Sequence, residues 1–171
     1  VYCWGNNSSG QLGDGSTNNQ ASPVQVQNLN NAKSIAANGN FTCALLLDSS
    51  VKCWGKNNFG QLGDGTNTAH SSPASVSGLS NVQAIHLGFE HACAILNNLT
   101  VQCWGANYAG QLGDGSYTSR SLPTSVTGVN NVQTLATGLK YTCALLSTGT
   151  VKCWGDNGSG QLGDGTTTGR N

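Results

Sequence analysis

Seven cysteines are the side chains of this sequence best suited to chemistry, and the spacing of six of them predicts disulfides. Three pairs are each ten residues apart: Cys43 and Cys53, Cys93 and Cys103, Cys143 and Cys153. If each pair lies on facing strands of a hairpin, its Cα atoms approach to about 4.5–5.5 Å, within the reach of a disulfide. Regular pairing would imply an oxidising compartment. The alternative is a row of free buried thiols in a cytosolic protein.

Cys3 has no cysteine ten residues before it in the sequence, so we expect it to be unpaired or paired outside the chain. Zinc is disfavoured because the sequence has no Cys-x-x-Cys spacing and no neighbouring set of histidines. We therefore expect no metal and no cofactor.

All three histidines and Glu90 fall within one stretch of the chain and do not recur elsewhere. A His–Glu–His group could bind a metal or transfer protons. His86 and Glu90 are expected on different strands or turns, however, and no serine or cysteine nucleophile recurs near them. His91 occupies the position of Phe41 and Tyr141, which indicates a packing residue. We therefore expect no catalytic residues and no enzymatic activity.

The elements that hold these side chains belong to an internal repeat with a period of 50 residues. The block Cys-Trp-Gly, followed by Gly-Gln-Leu-Gly-Asp-Gly, begins at Cys3, Cys53, Cys103 and Cys153. A fixed period is the mark of a repeat architecture. We divide the chain into a single array: a partial repeat 1–20 and repeats 21–70, 71–120 and 121–170, with an arbitrary choice of register.

Each unit contains four short runs typical of β-strands. In residues 71–120 they are Pro73–Val76, entered through a proline as an edge strand tolerates, Val82–Leu87, His91–Leu96 and Thr100–Trp104. Opposing cysteines would leave a three-residue hairpin loop, with Ser49, Leu99 and Gly149 at the position that favours a left-handed backbone. The chain is thus predicted to be all-β, with about 3.4 propeller blades (171/50) of four antiparallel strands.

Two other residue types recur once per unit. The Asp-Gly pairs begin at Asp14, Asp64, Asp114 and Asp164, and the tryptophans are Trp4, Trp54, Trp104 and Trp154. Calcium requires several converging oxygens, which one carboxylate per unit does not supply, so we expect the aspartates to cap turns. We expect the tryptophans to pack between blades rather than to stack on a ligand.

The segment Cys153–Thr166, Cys-Trp-Gly-x-Asn-x-x-Gly-Gln-Leu-Gly-Asp-Gly-Thr, resembles the signature of the regulator of chromosome condensation repeat family. The resemblance covers essentially the whole chain. It implies a seven-bladed propeller, and the cysteines resemble those of the bacterial, often secreted, branch, which includes β-lactamase-inhibitor propellers. About half a ring would leave exposed sheet edges. Either the chain is part of a longer propeller, or other copies complete a ring or form a filament.

Composition excludes several classes of partner. The net charge is zero and 8% of the residues are charged, so no basic patch is available for nucleic acid or for an anionic membrane surface. We also expect no membrane insertion, since no apolar run is long enough. These features favour a non-catalytic extracellular or periplasmic segment that binds a protein, a cell surface or other copies of itself. The alternatives are a self-assembling fibre or sheath subunit, and a guanine-nucleotide-exchange regulator by analogy with the family.

Loops that vary between repeats are the candidate binding surface, because propeller loops commonly carry contacts and Tyr and Arg are frequent interface anchors. The candidate residues are Phe59, His70, Tyr108, Tyr117, Arg120 and Arg170. Glycosylation sequons begin at Asn6, Asn7, Asn40, Asn98 and Asn157, and they matter only if the source glycosylates secreted proteins.

Overall fold

The computed structural model describes every residue from Val1 to Asn171 and is built of strands, turns and loops without a helix. It confirms an all-β partial propeller of antiparallel blades. No helix is therefore present that could cross a membrane. The strands are β1 (Tyr2–Gly5), β2 (Gln20–Gln25), β3 (Ala32–Asn38), β4 (Phe41–Leu46), β5 (Val51–Gly55), β6 (His70–Ser75), β7 (Val82–Leu87), β8 (His91–Leu96), β9 (Val101–Gly105), β10 (Arg120–Ser125), β11 (Val132–Thr137), β12 (Tyr141–Leu146) and β13 (Val151–Gly155).

The strands form two complete four-stranded blades flanked by two smaller sheets. Strands β3 to β6 and β7 to β10 make the complete blades, in which spatial order follows chain order. Strands β11 to β13 form a three-stranded sheet, to which Arg170 adds a single bridge opposite Gly155, and β1 pairs with β2. Strand β7 contacts both β3 and β11, so these three first strands lie side by side at the inner edge of the blades.

The proline strand begins earlier than the sequence pattern predicts. Strand β6 starts at His70, three residues before Pro73, because His70 pairs with Gly55 across a register shift. Pro73 has no amide hydrogen to donate, and the shift at the outer edge of the blade accommodates it. Strands β7 and β8 have the predicted bounds, and β9 lies one residue later than predicted.

All three hairpin loops adopt the same left-handed conformation, including the two copies without glycine. The φ angles are +64° at Ser49, +62° at Leu99 and +81° at Gly149. The Leu46 amide donates to the Ser50 carbonyl at 2.9 Å, which closes the predicted three-residue loop. The strand pairing on both sides of the loop thus holds this position in the left-handed region, which glycine adopts with less strain than serine or leucine does.

The three predicted disulfides are confirmed, and each joins the second and third strands of its blade. The Cα–Cα distances are 4.1 Å for Cys43–Cys53, 4.1 Å for Cys93–Cys103 and 4.0 Å for Cys143–Cys153. Cys3 is unpaired and half-buried, and burial raises the pKa of its thiol.

The hydrophobic core lies between neighbouring blades rather than within one. One cluster joins Phe41 and Leu45 of β4 to Val82 of β7 and Trp104 of β9. Each blade therefore depends on its neighbour to bury its apolar face, as expected for a repeat protein. Packing at the blade junctions consequently determines how the loops of neighbouring blades are positioned relative to each other.

Candidate functional site

The two ends of the blades differ strongly in residue type. We call one end the long-loop face: it carries the turns before β4, β8 and β12 and the long loops after β1, β5, β9 and β13. The opposite end, the hairpin face, carries the three-residue loops and the connections between blades. Its segments are 26–31, 47–50, 76–81, 97–100, 126–131 and 147–150, which contain no aromatic residue and one charged residue, Asp48. Of these two faces, only the long-loop face therefore carries aromatic side chains.

Each long loop is held by the aspartate of its Asp-Gly pair. Asp114 accepts hydrogen bonds from the Ser116 amide at 2.9 Å, from Asn107 Nδ2 at 3.1 Å and from Arg120 Nε at 2.8 Å. Burial alone would raise the pKa of Asp114, but hydrogen bonds from Ser116 and Arg120 outweigh it, and the pKa lies below its ordinary value. The carboxylate therefore acts as the predicted turn cap.

Three of the predicted binding residues take part in this capping network. His70 Nε2 lies 2.8 Å from Asp64 Oδ2, and Arg170 donates to Asp164 at 2.7 Å, as Arg120 does to Asp114. His70 and Arg120 also lie at the first positions of outer strands rather than at loop tips. These three side chains are thus engaged within the chain, and their role in binding stays a prediction.

The tryptophans pack across the blade junctions, as predicted, wherever a preceding loop covers them. Trp54 and Trp104 are fully buried, and their Nε1 atoms donate to the main-chain oxygens of Gln11 and Gln61 at 2.9 and 3.0 Å. Trp4 is 63% exposed. The repeated tryptophan is therefore the residue that joins one blade to the long loop of the blade before it.

Two predicted binding residues, Phe59 and Tyr108, come together on the long-loop face. Their ring centroids are 6.0 Å apart, although they lie in loops of neighbouring blades. Tyr108 is 46% exposed and Phe59 is half-buried. Tyr117 is also exposed, but no aromatic contact joins it to this pair.

Charged side chains surround the two rings. Lys56 Nζ lies 2.7 Å from Glu90 Oε1, and the Tyr108 hydroxyl donates to Glu90 Oε2 at 3.2 Å. Lys140 Nζ lies 5.2 Å from the centroid of the Tyr108 ring, a cation–π distance. Burial first, and then the charge of Glu90, raise the pKa of Tyr108. We call Lys56, Phe59, Glu90, Tyr108 and Lys140 the aromatic–lysine cluster.

Sequence reasoning did not identify Lys56 and Lys140 as parts of this site. The available signal was a spacing: Glu90 follows Lys56 by 34 residues, and Lys140 follows Ala106 by the same interval. This spacing connects a long loop with the first turn of the next blade. It becomes meaningful only when the stacking of the blades is known.

The histidine and glutamate residues do not converge on a catalytic or metal site. His91 is fully buried, and its Nε2 lies 2.9 Å from the Thr142 hydroxyl of the next blade. Burial lowers the pKa of His91 to about 4. His86 lies in β7 opposite Cys93, and Glu90 is engaged with Lys56. No three His, Cys, Asp or Glu side chains are grouped so that they could hold a metal ion.

The sequons differ in accessibility. Asn7 and Asn157 are fully buried, and each side-chain amide donates within its own loop. Asn6 and Asn98 are exposed, and Asn40 is half-buried. Whether any of them carries a glycan stays a prediction.

Comparison with protein families gives repeated matches along the chain. A family model described as the regulator of chromosome condensation (RCC1) repeat matches residues 1–45, 48–95 and 100–145. A second model with the same description matches residues 32–61, 82–111 and 132–161. A comparison with curated proteins finds no match.

Solved propeller structures share the fold. Yeast RCC1 (Prp20), crystallised with Kap60, is 22% identical, with a TM-score of 0.85 over 100% of this chain and 43% of that chain. Human WBSCR16 is 26% identical, with a TM-score of 0.84 over 99% of this chain and 46% of that chain. The ectodomain of the Physcomitrella patens receptor kinase CR4 is 28% identical, with a TM-score of 0.51 over 74% of this chain and 30% of that chain. The chain thus spans less than half the length of these structures.

Proposed function

Because the chain belongs to the regulator of chromosome condensation (RCC1) repeat family, we propose that it is a non-catalytic, protein-binding segment of an extracellular β-propeller. The proposed contact surface is the long-loop face. The observation that carries the proposal is the convergence of Phe59 and Tyr108, two partly exposed aromatic side chains from neighbouring blades.

The geometry of this pair suits a protein interface. Aromatic side chains are enriched among the residues that contribute most to binding energy, especially where they form a cluster. Tyr108 is held in place by Glu90 at its hydroxyl and by Lys140 over its ring, so little side-chain freedom remains to be lost on binding. The hairpin face offers no comparable anchor, since its segments lack aromatic residues.

An extracellular location is supported by the disulfides. Three regular disulfides are typical of proteins that fold in an oxidising compartment. The likeness to a receptor ectodomain is consistent with that location. Prp20 is described in complex with Kap60 and as binding Gsp1p and histones, but at 22% identity the likeness concerns the fold alone. We therefore do not extend nucleotide exchange or nuclear binding to this chain.

The proposal is tested by comparing matched surface variants in binding to purified secreted and cell-surface proteins of the source organism. We expect at least one partner whose retention falls about tenfold or more when Phe59 and Tyr108 are both replaced by alanine. Leu47→Ala is the control, because it removes an exposed apolar side chain from the hairpin face. The proposal would be contradicted if the double variant retained every partner as well as the wild type does, or if the wild type retained no partner.

A further inference from the structure

We propose that the protein partner presents an acidic side chain to Lys140, beside the exposed ring of Tyr108. This inference rests on the proposed function and specifies the chemistry of the partner. Its site is the third blade junction, where the long loop 106–119 meets the sheet β11 to β13. The first and second junctions are the equivalent contacts of loops 6–19 and 56–69 with the blades that follow them.

The first junction shows how the polar groups at this position are normally satisfied. Gln11 Nε2 donates to Asn6 Oδ1 at 2.7 Å and lies 3.4 Å from Asn40 Oδ1 of the next blade. In the last repeat, Gln161 Nε2 donates to Asp156 Oδ2 at 2.9 Å. The side chain five residues before this glutamine therefore supplies an acceptor oxygen in both repeats.

The third junction lacks that acceptor. Ala106 occupies the position of Asn6 and Asp156, and the buried Gln111 Nε2 has no hydrogen-bond partner. Lys140 occupies the position of Asn40, so an ammonium donor stands where the first junction has the amide oxygen of Asn40 as a second acceptor. No carboxylate lies within ion-pair distance of Lys140. The junction thus has two side-chain donors, one of them charged, that lack an acceptor.

The second junction differs because its charges cancel. Gln61 Nε2 is also unpartnered there, but Lys56 and Glu90 form an ion pair at 2.7 Å. Both oxygens of Glu90 are engaged, one by Lys56 and the other by the Tyr108 hydroxyl. Glu90 is therefore not free to neutralise Lys140. Among the three junctions, only the third presents an unpaired cation.

The complementary group is a carboxylate next to an apolar or aromatic side chain. The carboxylate would pair with Lys140, while the neighbouring side chain would pack on Tyr108 and Phe59. A single ammonium group matches the single charge of an aspartate or glutamate, whereas a phosphate group typically collects several charged donors. Charge complementarity of this kind contributes specificity and association rate.

The test uses the full chain and a displayed library of random twelve-residue peptides. Peptides are selected on the wild-type protein, and each selected peptide is then resynthesised with its acidic residues replaced by Gln or Asn. We expect selected sequences to place Asp or Glu beside an aromatic or aliphatic residue. Lys140→Gln should weaken binding of the acidic peptide by about three- to tenfold, and replacing the acidic residues of the peptide by amides should weaken its binding to the wild type by a similar factor. When the variant protein meets the amide peptide, the two losses of binding free energy should not add, because both changes remove the same ion pair. Lys33→Gln, a change at an exposed lysine without an ion pair, is the control.

A second variant tests the missing acceptor without removing Lys140. Ala106→Asp places a carboxylate where Asp156 stands in the last repeat, within the loop geometry common to both. It should supply an acceptor for Gln111 and a partner for Lys140. We expect this variant to weaken binding of acidic peptides, because the internal carboxylate replaces that of the partner.

The outcomes separate this inference from the proposed function. Selected peptides that need Phe59 and Tyr108 but bind Lys140→Gln and Ala106→Asp unchanged would overturn the acidic-partner inference and leave the binding face intact. Peptides that bind the Phe59→Ala, Tyr108→Ala double variant unchanged would count against both proposals, as would failure to select any peptide.

Discussion

Trp104 Nε1 donates a hydrogen bond to the main-chain oxygen of Gln61, at 3.0 Å and across a blade junction. Trp54 and Trp154 make the same contact with the residues 43 positions before them, Gln11 and Gln111. In the outer two junctions a threonine hydroxyl shares the acceptor: Thr42 donates to Gln11 at 2.8 Å and Thr142 to Gln111 at 3.0 Å. The middle junction has Ala92 at that position, so Gln61 depends on Trp104 alone.

Replacing Trp104 by Phe should therefore destabilise the chain more than replacing Trp54 by Phe. Both changes remove buried ring volume, but only Trp104→Phe leaves a buried carbonyl without a side-chain donor, which costs about 1–3 kcal/mol more. The free energy of unfolding from urea titrations measures the difference. Trp4→Phe is the control, because Trp4 is exposed and its replacement should change stability little. Equal losses for the two buried tryptophans would contradict this account.

Acidification should destabilise the protein through His91. Burial lowers the pKa of His91 to about 4, from the ordinary value of 6.5, so the folded state keeps the ring neutral while the unfolded chain takes up a proton. Stability is therefore independent of this group above about pH 6.5 and falls as the pH decreases from 6.5 to 4. A shift of this size corresponds to about 3 kcal/mol in total.

Unfolding measured between pH 7 and pH 4.5 tests this prediction. The variant His91→Phe, which copies Phe41 of the preceding blade, should lose less stability over this interval than the wild type. His86→Ala, which copies Ala36 and Ala136, is the matched comparison, because burial also lowers the pKa of His86. Identical pH profiles for wild type and His91→Phe would show that His91 does not carry the effect.

The disulfides should differ in their rate of reduction. Cys143 and Cys153 are half-buried, whereas the four other bonded cysteines are fully buried. Thiol–disulfide exchange requires access of the attacking thiolate to a sulfur atom. Under limiting reductant in native buffer, alkylation followed by mass spectrometry should label Cys143 and Cys153 first. In denaturant the three bonds should react alike, and simultaneous reduction in native buffer would refute the prediction.

Glycosylation, where the expression host provides it, should follow the exposure of the sequons. Asn98 lies exposed at a hairpin loop, while Asn157 is buried and its amide donates to the Thr166 carbonyl at 3.0 Å. Peptide mapping of the folded, secreted protein should therefore find glycan at Asn98 and none at Asn157. The variant Asn98→Gln should lose one glycan's mass. A glycan at Asn157 in protein with intact disulfides would contradict the buried position.

Most of the fold could be predicted because it is specified by local pairing. Facing cysteines ten residues apart and a three-residue loop are sufficient to set the register of one hairpin, and the 50-residue period repeats it. The start of β6 was predicted too late because a proline indicates that a strand is present without indicating where the strand begins. There, pairing of His70 with Gly55 across the bulge determines the boundary.

The sequence alone thus determined the repeat period, most of the strands and the disulfides, all of which depend on residues close together in the chain. It also indicated Phe59 and Tyr108 as candidate anchors, but not that they meet. Only the tertiary structure decided that their rings lie 6.0 Å apart and that Glu90 neutralises Lys56, which leaves Lys140 unpaired. These contacts depend on the angle and offset at which one blade packs on the next, and burial of the junction core sets both.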